Sequence, residues 1–187
     1  MLFTYGALCD AASCWHLRMS GEAGFTCSSC GQHHGELPLS FAVPAPDYWT
    51  PDLADDPDSE LSSDQCVIGG RAFFVRGVIE IPVTDTGEVF SWGVWISLSK
   101  ENLVRMTRLW STPGRESEPP YFGWLSTRLP VYSPTTINLK TNVRTRPLGE
   151  RPTVDVEPTA HPLAVEQRTG ITRARVREIA EALLHLG

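Results

Sequence analysis

The stretch "RAFFVRGVIEIPVTDTGEVFSWGVWISL", residues 71–98, decides the fold. Residues 71–83 are rich in β-branched and aromatic side chains, "TDTGE" is a turn former, and 89–98 return in the same style. That pattern predicts a β-hairpin. In the second strand Phe90, Trp92, Val94 and Ile96 share one face, and Ser91, Gly93, Trp95 and Ser97 share the other. The first face is fully apolar and has to pack on a core. Trp95 is the aromatic side chain that faces the other way.

Outward from the hairpin, "SKENLVRMTRLW" (99–110) predicts a helix. Ser99 is an N-cap, Glu101 sits in the first turn, and Leu103, Met106, Thr107 and Trp110 fall on one face. "TTINLKTNVRTR" (135–146) alternates, with Ile137, Leu139 and Val143 facing one way and Asn138, Lys140, Asn142, Arg144 and Arg146 the other. "PTVDVEPT" (152–159) predicts a shorter strand. Pro162 opens a short helix, "PLAVEQRT", which Gly170 ends. Thr172 then caps "RARVREIAEALLHL", whose buried stripe is Val176, Ile179, Ala180, Leu183 and Leu184. This pair mimics a DNA-binding helix-turn-helix. Glu166, four before Gly170 where such motifs want a small apolar residue, favours two helices docked on the sheet instead.

Residues 37–64 are proline-rich and acidic, without Lys or Arg, and predict a solvated loop with short turns, pinned by Tyr48 and Trp49. Central strands with helices apart from them predict an α+β fold. Its central sheet is antiparallel or mixed, with a few packing helices, a zinc-knuckle-like turn near the N-terminus and helices at the C-terminus. The expected organisation is a poorly ordered extension over 1–24 and a single domain over 25–187. Met19 offers an alternative start, which sets the first eighteen residues apart.

With 187 residues and 41% hydrophobic composition, the chain is long enough to bury a core without disulfide staples. A net charge of −6 argues against general attraction to nucleic acid or anionic lipid. No apolar run approaches the roughly 20 residues of a membrane span, and Asp10 interrupts the apolar start expected of a secretory signal. Five cysteines, an odd number, fit a reducing cytoplasm better than a disulfide framework.

The chemistry concentrates in "FTCSSCGQHH", residues 25–34. Two cysteines separated by two residues can both reach one tetrahedral zinc ion around a tight turn, and Gly31 suits that turn. Cys27 and Cys30 are therefore candidate ligands, and His33 or His34 supplies a third. The fourth comes from afar, with Cys66 favoured over His161. A thioredoxin-like redox pair needs a helix after the second cysteine, and Gly31, Gly35 and Pro38 stand where it would run.

The chain holds no G-x-S-x-G, G-x-G-x-x-G, P-loop or H-E-x-x-H motif. A Cys66–His161 nucleophile pair rests on residue type alone. Lys140, Arg144 and Arg146, with Arg128 and Arg151, form the basic concentration. A solvated strand face explains it best, ahead of pairing with the acidic loop at 47–64 or binding nucleic acid. Trp92, Trp95, Trp110 and Trp124, with Tyr121 and Phe122, read as core.

"FTCSSCGQHHGELP", "FFVRGVIEIPV", "WGVWISLSKEN", "PPYFGWL", "NLKT" and "EPTAHPLAVEQRTGIT" occur in the order that resembles the bacterial family DUF2199. The resemblance implies a C-x-x-C-G-x-x-H segment on Cys27, Cys30 and His34, with His33 a bystander. It also implies a further cysteine after Asp64, at Cys66. Gly69 and Gly70 depart from that pattern, where an acidic residue would follow "CVI". It implies no activity. The expected protein is a cytoplasmic binding or interaction module with a structural zinc site, a protein partner and no membrane. The alternatives are a metal- or thiol-dependent enzyme, with three ligands and Glu157 beside an open position, and a nucleic-acid binder using the Lys140–Arg146 face.

Overall fold

The hairpin forms where its alternation places it, and a barrel is built on it. In the computed structural model, residues 24–28 and 30–185 are described, with the backbone of 7–8, 15–16 and 18–19. In chain order the strands are β1 (Ala7–Leu8), β2 (Trp15–His16), β3 (Arg18–Met19), β4 (Phe25–Thr26), β5 (His33–His34) and β6 (Pro38–Ala42). There follow β7 (Glu60–Leu61), β8 (Gln65–Ile68), β9 (Ala72–Pro82), β10 (Val89–Leu98), β11 (Tyr121–Leu125), β12 (Lys140–Arg144) and β13 (Thr153–Val156). The helices are α1 (Lys100–Arg108), α2 (Pro162–Thr169) and α3 (Arg173–Leu184). The expectation for residues 1–24 falls mostly outside the described residues.

Strands β9 and β10 pair over ten registered positions, from Val89 opposite Pro82 to Leu98 opposite Phe73. From β10 the sheet runs antiparallel through β11, β12 and β13. It then returns to β9 by a parallel contact of Thr153 with Val78. Five strands thus close into a barrel, β3, β6, β7 and β8 extend the sheet beyond it, and β1–β2 and β4–β5 form separate two-stranded sheets. On one flank β6 runs parallel to β10, and on the other β8 and β7 follow β9 antiparallel. The fold is α+β with a mixed sheet, as its pattern of elements implies.

Closure of so narrow a barrel depends on small residues inside it. A Cβ on Gly77 would sit 2.6 Å from Val154 Cγ2, and one on Gly123 would sit 2.4 Å from Ile96 Cγ2 and 2.6 Å from the Ser97 carbonyl. Where β13 leaves β9, a side chain continues the pairing. The Gln167 amide of α2 accepts from Val156 N–H and donates to the Val154 carbonyl, both at 2.8 Å. Inside, Phe90, Trp92, Val94 and Ile96 are fully buried with Val75, Ile79 and Ile81. Trp92 Nε1–H donates to the Tyr132 hydroxyl at 3.3 Å, which meets its one polar need.

Several local signals act as the sequence implies. Ser99 caps α1 by accepting from Asn102 N–H, and Leu103 and Met106 are its buried side. Thr172 caps α3 through Arg175 N–H, and Gly170 ends α2 at φ 78°. Glu166 is explained by its partners: it accepts from Tyr132 Oη at 2.6 Å and from Arg175 Nε at 2.9 Å, locking α2 to α3. A carboxylate there serves an intramolecular network, which accounts for its poor fit to a helix-turn-helix.

Three expectations change. "PLSFA", inside the expected loop, is strand β6, with Pro38 at its first position, where a missing N–H is tolerated. Residues 135–139 are a turn rather than strand. Asn138 takes φ 65°, and Thr136 is held by Leu129 N–H and the Thr127 carbonyl, so only 140–144 pair. Trp95 keeps the buried place expected of it, on the outer barrel face in a second small core with Cys66 and Phe74, against which Trp49 packs. Phe122 and Trp124, expected in the core, stand exposed on the outer face of β11.

Gly123→Ala is expected to lower unfolding stability by about 1–3 kcal/mol, because a methyl forced between Ile96 and the Ser97 carbonyl overpacks the barrel. Urea denaturation followed by tryptophan fluorescence measures it, and an unchanged midpoint would refute this account of the interior.

Candidate metal centre

Strands β4 and β5 form a two-stranded hairpin, with Phe25 opposite His34 and Thr26 opposite His33. The C-x-x-C-G segment makes its tip. Gly31 N–H donates to the Cys27 carbonyl and Cys27 N–H to the Gln32 carbonyl, both at 2.9 Å, while Gly31 takes φ 71°. That positive φ is glycine's territory and turns the chain back toward the two sulfurs. His34 stacks on Phe25, with ring centroids 5.1 Å apart, which fixes the imidazole beside the cysteines.

A fourth group comes from the far end of the chain. His185, the residue after α3, places Nε2 3.0 Å from Cys27 Sγ, while Cys30 Sγ and His34 Nε2 are 3.7 Å apart. One donor atom from each of Cys27, Cys30, His34 and His185 lies within 4.8 Å of all the others, so the cluster is able to hold a metal ion. A tetrahedral zinc with bonds of about 2.3 Å to sulfur and about 2.0 Å to nitrogen sets S···N edges near ~3.5 Å, between the two observed separations. Cys27 is buried, His34 half-buried, and Cys30 and His185 exposed, so the cluster lies at the surface with one sulfur sealed beneath it.

The same helix end makes a second tie to the same loop. Glu181, one turn before His185, accepts from Ser28 N–H at 3.0 Å and from the Ser28 hydroxyl. These bonds, the hydroxyl first, hold the Glu181 carboxyl below its usual range, and Arg177 adds to the effect. Arg177 also lies 5.8 Å from the Phe25 ring centroid.

The expected ligands divide. Cys27, Cys30 and His34 come together, and His33 is exposed on β5 outside the group. Cys66, expected as the fourth ligand, lies outside it too. It is buried on β8 against Phe74 and Trp95, where burial pushes its thiol up to about 11. A ligand must be a thiolate, and an apolar pocket opposes that charge. His161 is spoken for as well. Its Nδ1 accepts from Leu163 N–H at the start of α2, and its Nε2 lies 2.9 Å from the Pro134 carbonyl, so Nε2 carries the proton. A Cys66–His161 pair therefore has neither a ready thiolate nor a spare base.

His185 was missed because its signal is tertiary. The i, i+4 spacing of Glu181 and His185 marks one side of a helix, but nothing local ties that side to Cys27, 158 positions earlier.

The basic residues are engaged by the chain's own acids. Arg144 pairs with Asp155 at 2.6 Å, Arg146 with Glu80 at 2.8 Å and with Glu150. Arg128 pairs with Asp47 and Arg151 with Asp64, both acids lying in the acidic segment at 47–64, the pairing that the sequence ranked behind a solvated face. Lys140 sits over Trp124, 5.9 Å from its ring centroid. Among the described residues no helix is long and apolar enough to cross a membrane.

Residues 26–171 match the pattern of DUF2199, described as an uncharacterized protein conserved in bacteria. The chain belongs to this family. The matched span covers Cys27, Cys30 and His34 and ends before α3, so His185 lies outside it. No curated protein and no solved structure matches the chain.

In metal-free folded protein, alkylation with iodoacetamide is expected to label exposed Cys30 readily and to leave Cys66 unlabelled until the chain is unfolded. Peptide mass spectrometry reads both; rapid native labelling of Cys66 would contradict its placement.

Proposed function

We propose that this protein is a cytoplasmic binding or interaction module in which a structural zinc ion, held by Cys27, Cys30, His34 and His185, fastens the N-terminal hairpin to the C-terminal helix. The observation that carries the reading is the convergence of four donor atoms from residues 27–34 and 185 within 4.8 Å. Two thiolates and two imidazoles are a donor set that suits zinc, and a reducing compartment keeps such thiols available. Four protein donors leave a tetrahedral ion no position for water, which favours a structural role over a hydrolytic one. Structural zinc contributes folding energy directly, on the order of 10 kcal/mol in small zinc peptides.

The binding half of the proposal draws on the outer face of β11. Phe122 and Trp124 are exposed there edge to face, with ring centroids 5.4 Å apart. An aromatic pair left to solvent on a barrel wall is the kind of surface that a partner covers.

Protein purified without chelator is expected to carry one zinc per chain by atomic emission. Cys30→Ser and His185→Ala should each lower that occupancy, while Cys66→Ala should leave it at one. Loading should fall as pH is lowered, because protons compete for thiolate and imidazole alike. Zinc-free wild-type protein, or full occupancy in both ligand variants, would overturn the assignment.

A further inference from the structure

The four-residue loop 27–30 carries both fastenings of the C-terminal helix end. Cys27 faces His185, and Ser28 is gripped by Glu181 through its N–H and its hydroxyl. The two sulfurs of that loop are close together yet unequal in access, since Cys27 is 1% exposed and Cys30 is open to solvent. A metal-bound thiolate stays deprotonated and hence nucleophilic, and the accessible one meets an oxidant first.

We propose that Cys30 is a peroxide-oxidation site, that Cys27 resolves it, and that the resulting disulfide unfastens the end of α3. The proposal rests on the zinc reading above. The oxidant is hydrogen peroxide or an organic hydroperoxide. The Cys30 thiolate attacks one peroxide oxygen, the O–O bond breaks, and hydroxide leaves, giving a sulfenic acid at Cys30. The Cys27 thiolate attacks that sulfur, an S–S bond forms, and a second hydroxide leaves. Two thiolates lose two electrons and one peroxide gains them. The ion, left with two imidazoles, loses half of its donors and dissociates.

Formation of the disulfide also redraws the backbone through Ser28, which lies between the two sulfurs, so the Glu181 tie loosens in the same event. The body of α3 stays in place, because Val176, Ile179 and Ala180 are fully buried in the main core. Only its last turn is freed. What that turn holds down is apolar: Leu183, now 7% exposed. The oxidation thus converts a sealed surface into a sticky one.

The test uses the full-length, zinc-loaded protein treated with hydrogen peroxide. Expected are release of one zinc per chain to a colorimetric chelator, loss of two thiols mapped to a Cys27–Cys30 disulfide, and dimedone trapping of sulfenic acid at Cys30. Hydrogen exchange of amides 181–185 should quicken at least tenfold while 174–180 keep their protection. Dithiothreitol with added zinc should restore the starting state. Zinc absent before treatment overturns the metal reading and this one together. Zinc present at the start and retained under peroxide overturns this one alone, as does trapping at Cys27 instead of Cys30. Cys30→Ser checks the chemistry independently of metal: it should form no intramolecular disulfide, and peroxide-driven exchange at 181–185 in that variant would overturn the proposal.

Discussion

The parallel contact between β13 and β9 turns a meander into a barrel, and the rest of the structure depends on it. Parallel pairing is short here, one registered pair of Thr153 with Val78, flanked by the Val78 N–H bond to the Pro152 carbonyl at 2.9 Å. The contact survives because Gly77 leaves room for Val154, and because the Gln167 amide completes the hydrogen bonding that β13 would otherwise lack. An unpaired strand edge inside the fold would leave buried polar groups unmet, at a cost comparable to several lost hydrogen bonds. Closure therefore fixes α2, and α2 in turn fixes α3 through Glu166 and Arg175.

From that chain of positions comes the metal centre. The hairpin of β4 and β5 is too small to be stable alone in water. It gains its place from the helix end that reaches it, through Glu181 on Ser28 and His185 beside Cys27. Assembly of the four donor atoms and docking of the helix end thus go together. The acidic chain, at −6 overall, also uses its cations internally. Arg115 shows this without any carboxylate: buried at 4% exposure, its guanidinium donates to the carbonyls of Trp110, Arg146, Pro147 and Glu150 and ties the α1–β11 connection to the β12–β13 connection.

Elements governed by neighbours in sequence were legible. The β9–β10 hairpin, the caps Ser99 and Thr172, the stop at Gly170 and the stripe on α3 all follow from local sterics, capping and periodicity. Strand β6 was hidden by its leading proline. Residues 135–139 were read as strand because alternation persists through a turn whose αL residue is an asparagine, which tolerates that conformation. Phe122 and Trp124 left the core expected of them for one reason: alternation assigns a side chain to a face, and only neighbouring strands decide whether that face is covered, as it is over Trp95.

By itself, the sequence determined most of the secondary elements, the α+β class and the Cys27–Cys30 pair, because these depend on neighbours along the chain, while the family resemblance singled out His34 over His33. Only the tertiary structure decided the fourth donor. Cys66 and His185 both carry a suitable donor atom, and both lie outside the hairpin in sequence. The difference lies in where the barrel sends them. β8 carries Cys66 into an apolar pocket that disfavours a thiolate, and closure at β13 aims α3 so that its last turn delivers His185 to the loop.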